Sequence, residues 1–346
     1  MTITQKILEA MSGKAQGKKV VFAPYENKVK PGKTLDLLLE KGMGLVKRVP
    51  FYSIARPNCT LSQEKTEIRD GFYSIITNVQ TPYGTLRQIN KVNEITSYIE
   101  EHFIKSEQDF AAYRFMVEDS QAIPAENYVT DALAAPEYYF VRGGLPYEPY
   151  QQLVAQDMGT ENFCYFIMDY PDEIAELADC INRFNRKVFP IAADSALPMF
   201  NYGGNVVPNI IGKNLFHNVY VPQYNEAATV LHASNKLIGS HFDADNSLIL
   251  EDIENSELDY IEAYDISFSP PLREAIARAP HKTFWLNFPS SMHMQPKDEI
   301  YRTAIQLLKE GSKAKGLVMG VTEDVPEECW ETSFLTIQKA IDDFFA

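Results

Sequence analysis

Residues 237–287 read LIGSHFDADNSLILEDIENSELDYIEAYDISFSPPLREAIARAPHKTFWLN. Three short apolar runs, 237–242, 259–263 and 283–287, alternate with two segments of helical character, 247–255 and 272–278. Short apolar runs closed by polar turn residues read as buried strands. The same alternation continues outward. Downstream lie a long helix, 297–311, a strand, 316–321, and a helix from about 328 to 345. Upstream, residues 171–186 form a helix with Pro171, Asp172 and Glu173 in its first turn and Arg183, Arg186 and Lys187 at its end, the order that the helix dipole and proline geometry favour. Residues 188–193 (VFPIAA) read as a strand closed by Asp194, and 222–234 as a helix.

The first half is less regular. Residues 3–11 read as an amphipathic helix stopped by Gly13, 19–24 as a strand, and 34–47 as a helix interrupted by glycines. Segments 72–78 and 85–90 flank TPYG as a hairpin, 93–103 and 107–117 look helical, and 138–142 is a strand ending at Gly143-Gly144. Strands that alternate with helices call for a parallel sheet. At least seven strands, the last four closely and evenly spaced, favour a (β/α)8 TIM barrel with an N-terminal helical and hairpin extension. The expected organisation is one domain, 1–346, with 25–135 an elaborated insertion over the barrel mouth. No GxGxxG follows the first strand, so a dinucleotide fold has no support.

The chain has 346 residues, 32 Lys+Arg against 47 Asp+Glu, and a net charge of -15. The charge argues against nucleic acid as a partner, because phosphate binding needs clustered cations. Anionic membrane surfaces are disfavoured on the same ground, and no apolar run approaches the roughly 18 residues of a membrane span. The opening MTITQKILEAMSGKAQGKK lacks the apolar core of a signal peptide; a cytoplasmic protein is expected. Cys59, Cys164, Cys180 and Cys329 have no zinc-finger or redox spacing and are expected to be free thiols.

A barrel places its chemistry at the carboxyl ends of its strands. Those ends carry Tyr25 and Glu26, Arg142, Asp194, His241 and Asp243, Glu262, Asn287, and Glu323 with Asp324. His241 and Asp243, two residues apart, face the same side of a strand, and Glu323 leaves the final strand toward the same space. His, Asp and Glu together suit zinc or another divalent ion with open positions. The same pair also suits a polar layer in which Asp243 orients His241 or caps the next helix at Asn246. Asp194 reads equally as a base at the mouth or as a helix cap. Arg142 suits a carboxylate. Asn201, Tyr202 and Asn205, around Gly203-Gly204, suit substrate contacts in a flexible loop, with Trp285 and Asn287 as further lining. Of the other histidines, His293 in SSMHMQP is a candidate lid or acid/base residue.

The ordered motifs resemble the uroporphyrinogen decarboxylase-like superfamily, which includes the corrinoid-dependent methyltransferases. They are 3–24 (ITQKILEAMSGKAQGKKVVFAP), 81–88 (TPYGTLRQ), 206–246 (VVPNIIGKNLFHNVYVPQYNEAATVLHASNKLIGSHFDADN), 258–275, 283–292 and 316–326 (GLVMGVTEDVP). True decarboxylases of this group carry an arginine-rich N-terminal signature; here 20–29 reads VVFAPYENKV, with no arginine. The methyltransferases hold zinc with His-x-Cys and a later Cys. In this sequence Asp243 stands at the first thiolate position and Glu323 at the second, a harder ligand set.

The resemblance implies a methyltransferase moving a methyl group from a small donor, such as a methoxylated aromatic, to the cobalt of a separate corrinoid protein. Metal at His241, Asp243 and Glu323 would act as the Lewis acid, with Asp194 or Glu262 handling protons and the cobalamin carried by the partner. Two other readings stay open: a decarboxylase or lyase with Arg142 on the substrate carboxylate, and a non-catalytic barrel that serves as a binding subunit.

Overall fold

The computed structural model describes residues 1–93 and 96–346. Its chain divides into two compact units, one of residues 1–51, 126–144 and 192–346, the other of 52–125 and 145–191.

The first unit holds eight parallel strands: β1 (Val21–Phe22), β2 (Leu45–Arg48), β3 (Tyr139–Gly144), β4 (Met199–Asn201), β5 (Leu237–His241), β6 (Tyr260–Tyr264), β7 (Thr283–Asn287) and β8 (Leu317–Gly320). Each pairs with the next in chain order from β2 to β8, and β8 pairs with β1. Closure comes from a parallel bridge between Tyr25 and Val46, with the amides of Gly44 and Val46 donating to Phe22 O and Pro24 O at 2.9 Å each. The expected (β/α)8 barrel is therefore present.

Its interior follows from period-2 geometry. Val21 and Ala23, Val46, Phe140, Met199, Tyr260, Trp285 and Val318 form one apolar cluster. The helix Ile3–Met11 joins the same cluster through Ile3, Ile7, Ala10 and Met11. A reciprocal cap between Thr2 and Gln5 starts it, and Thr283 Oγ1 donates to Met11 O at 3.1 Å.

Helix 297–311, strand 316–321 and the C-terminal helix (Trp330–Phe344) lie where the sequence places them. Three expectations fail. Residues 34–47 split into a helix, Lys33–Glu40, and strand β2. Gly42, at φ +91°, breaks the helix, and a Cβ at Gly44 would meet Ile3 Cγ2 at 2.5 Å, so glycine lets the strand lie against the first helix. Residues 188–193 are not a strand but the end of a 24-residue helix, Pro171–Asp194. Its buried Ile174, Leu177, Ile181, Phe184, Val188 and Ala192 recur every three or four residues, a helical period that VFPIAA continues. The true fourth strand is the three-residue β4. Within 93–103, Ser97–Glu101 is a strand paired with Gly84–Val92, because cross-strand pairing overrides weak local preference; residues 94 and 95 lie outside the described set.

The second unit contains an antiparallel four-stranded meander (Thr60–Lys65, Tyr73–Thr81, Gly84–Val92, Ser97–Glu101) and a pair, Tyr52–Ala55 with Gln121–Pro124. The TPYG hairpin is as expected. Helices Phe110–Glu118, Gly159–Asp169 and most of Pro171–Asp194 complete the unit. All four cysteines are free. Among the described residues no helix is long and apolar enough to cross a membrane.

Candidate metal centre

Two residues beyond the interior positions of five strands, the inward side chains turn polar. Ala23 leads to Tyr25, Phe140 to Arg142, Met199 to Asn201, Gly239 to His241 and Tyr260 to Glu262. Strand alternation thus stacks a charged layer directly on the apolar one at the carboxyl ends. Gly239 is required beneath it, since a Cβ there would meet the Tyr260 ring at 2.4 Å.

Glu262 is the hub and is fully buried. Its Oε1 and Oε2 accept from Arg142 Nη2 at 2.8 and 3.0 Å. Oε2 also accepts from Asn201 Nδ2 and faces His241 Nδ1 at 3.1 Å. Arg142 Nη2 donates as well to Tyr25 Oη at 2.8 Å, and Arg48 lies over the Tyr25 ring, 4.5 Å from its centre. Tyr260 Oη donates toward Asn201 Oδ1 and Phe200 O, each at 2.6 Å. Burial alone would raise the Glu262 pKa, but the Arg142 charge and the His241 hydrogen bond outweigh it and hold the carboxyl at about 2. Glu262 is therefore a fixed anion at neutral pH and not a proton donor.

A β-bulge interrupts the β6–β7 register between Ile261 and Tyr264. Inside it Ala263 has φ +58°, a left-handed conformation costly to a residue with a Cβ. The strained residue immediately follows the hub, as expected where a bulge re-aims a side chain.

His241 bridges the buried layer and the surface. Its Nε2 lies 3.6 Å from Asp243 Oδ2. Burial disfavours its charged form, yet the neighbouring Asp243 and Glu262 carboxylates prevail and raise its pKa to about 9. One ligand atom each from His241, Asp243 and Glu323 lies within 4.8 Å of the others. His241 and Asp243 are partly buried and Glu323 is exposed. The chemistry of these donors fits a divalent cation: a nitrogen and two carboxylates on one side, with His241 held from behind by Glu262, the outer-shell arrangement of metal-binding histidines. Backbone crowds the ring's base, where a Cβ at Gly204 would meet His241 Cβ at 2.6 Å.

The remaining candidates fall elsewhere. Asp194 ends a helix and is exposed just before β4, at the amino ends of the strands, away from the cluster. Arg142 is buried and committed to Glu262, Tyr25 and Gly143 O, so its fork is not open to a substrate carboxylate. Trp285 is wholly buried within the barrel against Phe140, because position 285 precedes the polar layer by one inward step. Tyr202 follows inward-facing Asn201, so it points outward and packs on Tyr224. Asn205 is exposed, with its amide donating to His241 O at 3.0 Å. Asn287 ties neighbouring strand ends, donating to Asp265 Oδ2 and accepting from the Thr322 amide, both at 2.9 Å. His293 is buried and neutral: burial pushes its pKa down to about 4, and Nδ1 contacts Ser333 Oγ at 2.7 Å.

Tyr25, Arg48 and Tyr260 belong to the site's framework; the sequence reading placed Tyr25 at a strand end without giving it a role, and did not name Arg48 or Tyr260. The inward register of Ala23 and Tyr25 is the signal that locates the first of them.

No family model matches the chain, and no curated protein matches it by sequence. Among solved structures it is similar to a methyltransferase from Methanosarcina mazei, at TM-score 0.61 and 11% identity over 100% of both chains. It is also similar to a sugar phosphate isomerase/epimerase from Parabacteroides distasonis, at TM-score 0.34 and 13% identity, covering 61% of this chain and 85% of that one. The first of these likenesses is one of fold along the entire length.

Proposed function

We propose that the chain is a methyltransferase that moves a methyl group from a small donor, with methoxylated aromatics the expected class, to the cobalt of a separate corrinoid protein. The observation that carries this reading is the convergence of His241, Asp243 and Glu323 within 4.8 Å at the carboxyl end of the barrel. The full-length fold likeness to a methyltransferase supports it. Those three residues would hold a divalent ion, zinc in the first instance, which when bound supplies Lewis-acid polarisation of the donor oxygen.

The chain's own residues do the rest. Glu262 accepts the Nδ1–H of His241 and leaves Nε2 directed to the metal position. Arg142 neutralises the buried carboxylate, so that His241 is oriented by a charge that does not itself titrate near neutrality. Partly exposed Asp243 and exposed Glu323 lie where a donor molecule enters from solvent.

The test is to load the purified protein with zinc, measure bound metal by elemental analysis, and assay transfer from methoxylated aromatics to free cob(I)alamin by its absorbance change. One metal per chain and turnover are expected. His241→Ala should lose the metal and lower the rate about a hundredfold or more, comparable to or beyond the effect of losing an outer-shell partner. Absence of stoichiometric metal after loading, or an undiminished rate in His241→Ala, would sink the proposal.

A further inference from the structure

The second unit has a cavity of its own, about 440 Å³, within the range of roughly 300–1,000 Å³ usual for small-molecule sites. Tyr52, Phe103, Met116 and Phe184 give it apolar and aromatic walls. Two opposite charges line it. Arg56, following strand Tyr52–Ala55, is fixed by one hydrogen bond, Nε to Ser120 Oγ at 3.0 Å. Among the described residues its two terminal nitrogens make no hydrogen bond or ion pair. Asp157 is only 4% exposed. Its Oδ2 accepts from Tyr113 Oη and from Gln152 Nε2 at 2.9 Å, while Oδ1 has no protein partner among the described residues.

Asp157 ends a π-helical turn, Leu153–Asp157, a costly local geometry that is often kept at functional sites. The widened turn is held in place. Gln156 O accepts from Gln88 Nε2 at 2.9 Å, and Asp157 O accepts from the Ile104 amide at 2.8 Å. Arg56 acts electrostatically on Asp157, yet the two form no ion pair among the described residues. A donor fork and a carboxylate oxygen thus share one concave, aromatic-lined space without meeting.

We propose that this cavity is a small-molecule site, separate from the metal centre, that takes an α-amino acid with an apolar or aromatic side chain. The ligand carboxylate lies on the Arg56 fork, a bidentate geometry that guanidinium suits. The ammonium lies on Asp157 Oδ1, and the side chain packs against Tyr52, Phe103 and Phe184. A zwitterion satisfies both charges at once, whereas a simple acid or amine leaves one of them unmatched.

Calorimetric titration of the full chain with L-phenylalanine tests this, with 3-phenylpropanoate and 2-phenylethylamine as analogues lacking one charge each. Saturable binding of one L-phenylalanine per chain is expected, with both analogues about tenfold or more weaker, since each lacks one charge-assisted hydrogen bond. Arg56→Gln, at a half-buried position, should weaken L-phenylalanine by a similar factor, Arg56→Lys by less, and His241→Ala not at all. Failure of L-phenylalanine, L-leucine and L-methionine alike to bind would overturn the proposal. So would equal affinity for either analogue, or unchanged affinity in an Arg56→Gln protein whose circular dichroism matches the parent.

Discussion

Glu262 shows how one residue organises a barrel end. It is fully buried and ion-paired with Arg142, with His241, Asn201 and Tyr25 on the same carboxylate. Removing its charge leaves a buried guanidinium without a counter-ion, which costs about 3 kcal/mol or more. Glu262→Gln should show that loss in urea unfolding; a loss well under 1 kcal/mol would mean that the network contributes no net stability. Ala263 makes the opposite prediction. Its left-handed backbone is relieved by glycine, so Ala263→Gly should stabilise the protein by about 1 kcal/mol. A lower rate of the proposed methyl transfer in that stabilised variant would mean that the strain positions Glu262. The charged layer was partly legible in sequence: Arg142, His241 and Glu262 were found because they follow apolar strands. Which of them faces a substrate was not legible, because Arg142 and Glu262 satisfy one another across strands far apart in the chain.

At the scale of elements, the first helix and the last strand meet without space to spare. A Cβ at Gly316 would lie 1.7 Å from Ala10 O, a backbone atom that no rotamer change moves aside. Gly316→Ala should therefore push the helix Ile3–Met11 off the barrel interior at a cost of about 3 kcal/mol, the upper part of the overpacking range. Limited proteolysis should then cut within the first dozen residues faster than in the parent; an unchanged cleavage rate would show that the contact relaxes elsewhere. Long periodic helices and apolar strands were readable because their burial repeats every 3.6 or 2 residues. Strand β2 and strand β4 were not. The first hides behind Gly42 and Gly44 in a helical-looking run, and the second has only three residues. VFPIAA misled because an apolar run at the buried end of a helix has the same composition as a strand; only the burial period of Pro171–Asp194 separates them.

For the whole molecule, acidity couples to stability through Asp157. Burial raises its pKa to about 6, against hydrogen bonds from Tyr113 and Gln152 and the charge of Arg56. A carboxyl whose folded pKa lies above its unfolded value favours the folded state while protonated. That contribution is complete below about pH 4 and is lost as pH rises through about 6, a total of about 3 kcal/mol for two pKa units. Asp157→Asn should lack this term, so its stability relative to the parent should rise by about that amount between pH 4 and pH 7 in urea unfolding. A pH-independent difference between the two proteins would contradict the assignment. By itself the sequence determined the barrel class, the amphipathic first helix, the hairpin and the strand that ends at His241, because each is written in local periodicity and turn chemistry. Only the tertiary structure decided that His241, Asp243 and Glu323 converge, that Arg142 is withdrawn into an internal ion pair, and that residues 52–125 and 145–191 build a compact unit with its own charged cavity. Those outcomes depend on closure of the sheet and on pairing between residues far apart in the chain, such as Arg142 and Glu262, 120 positions apart, which no local pattern records.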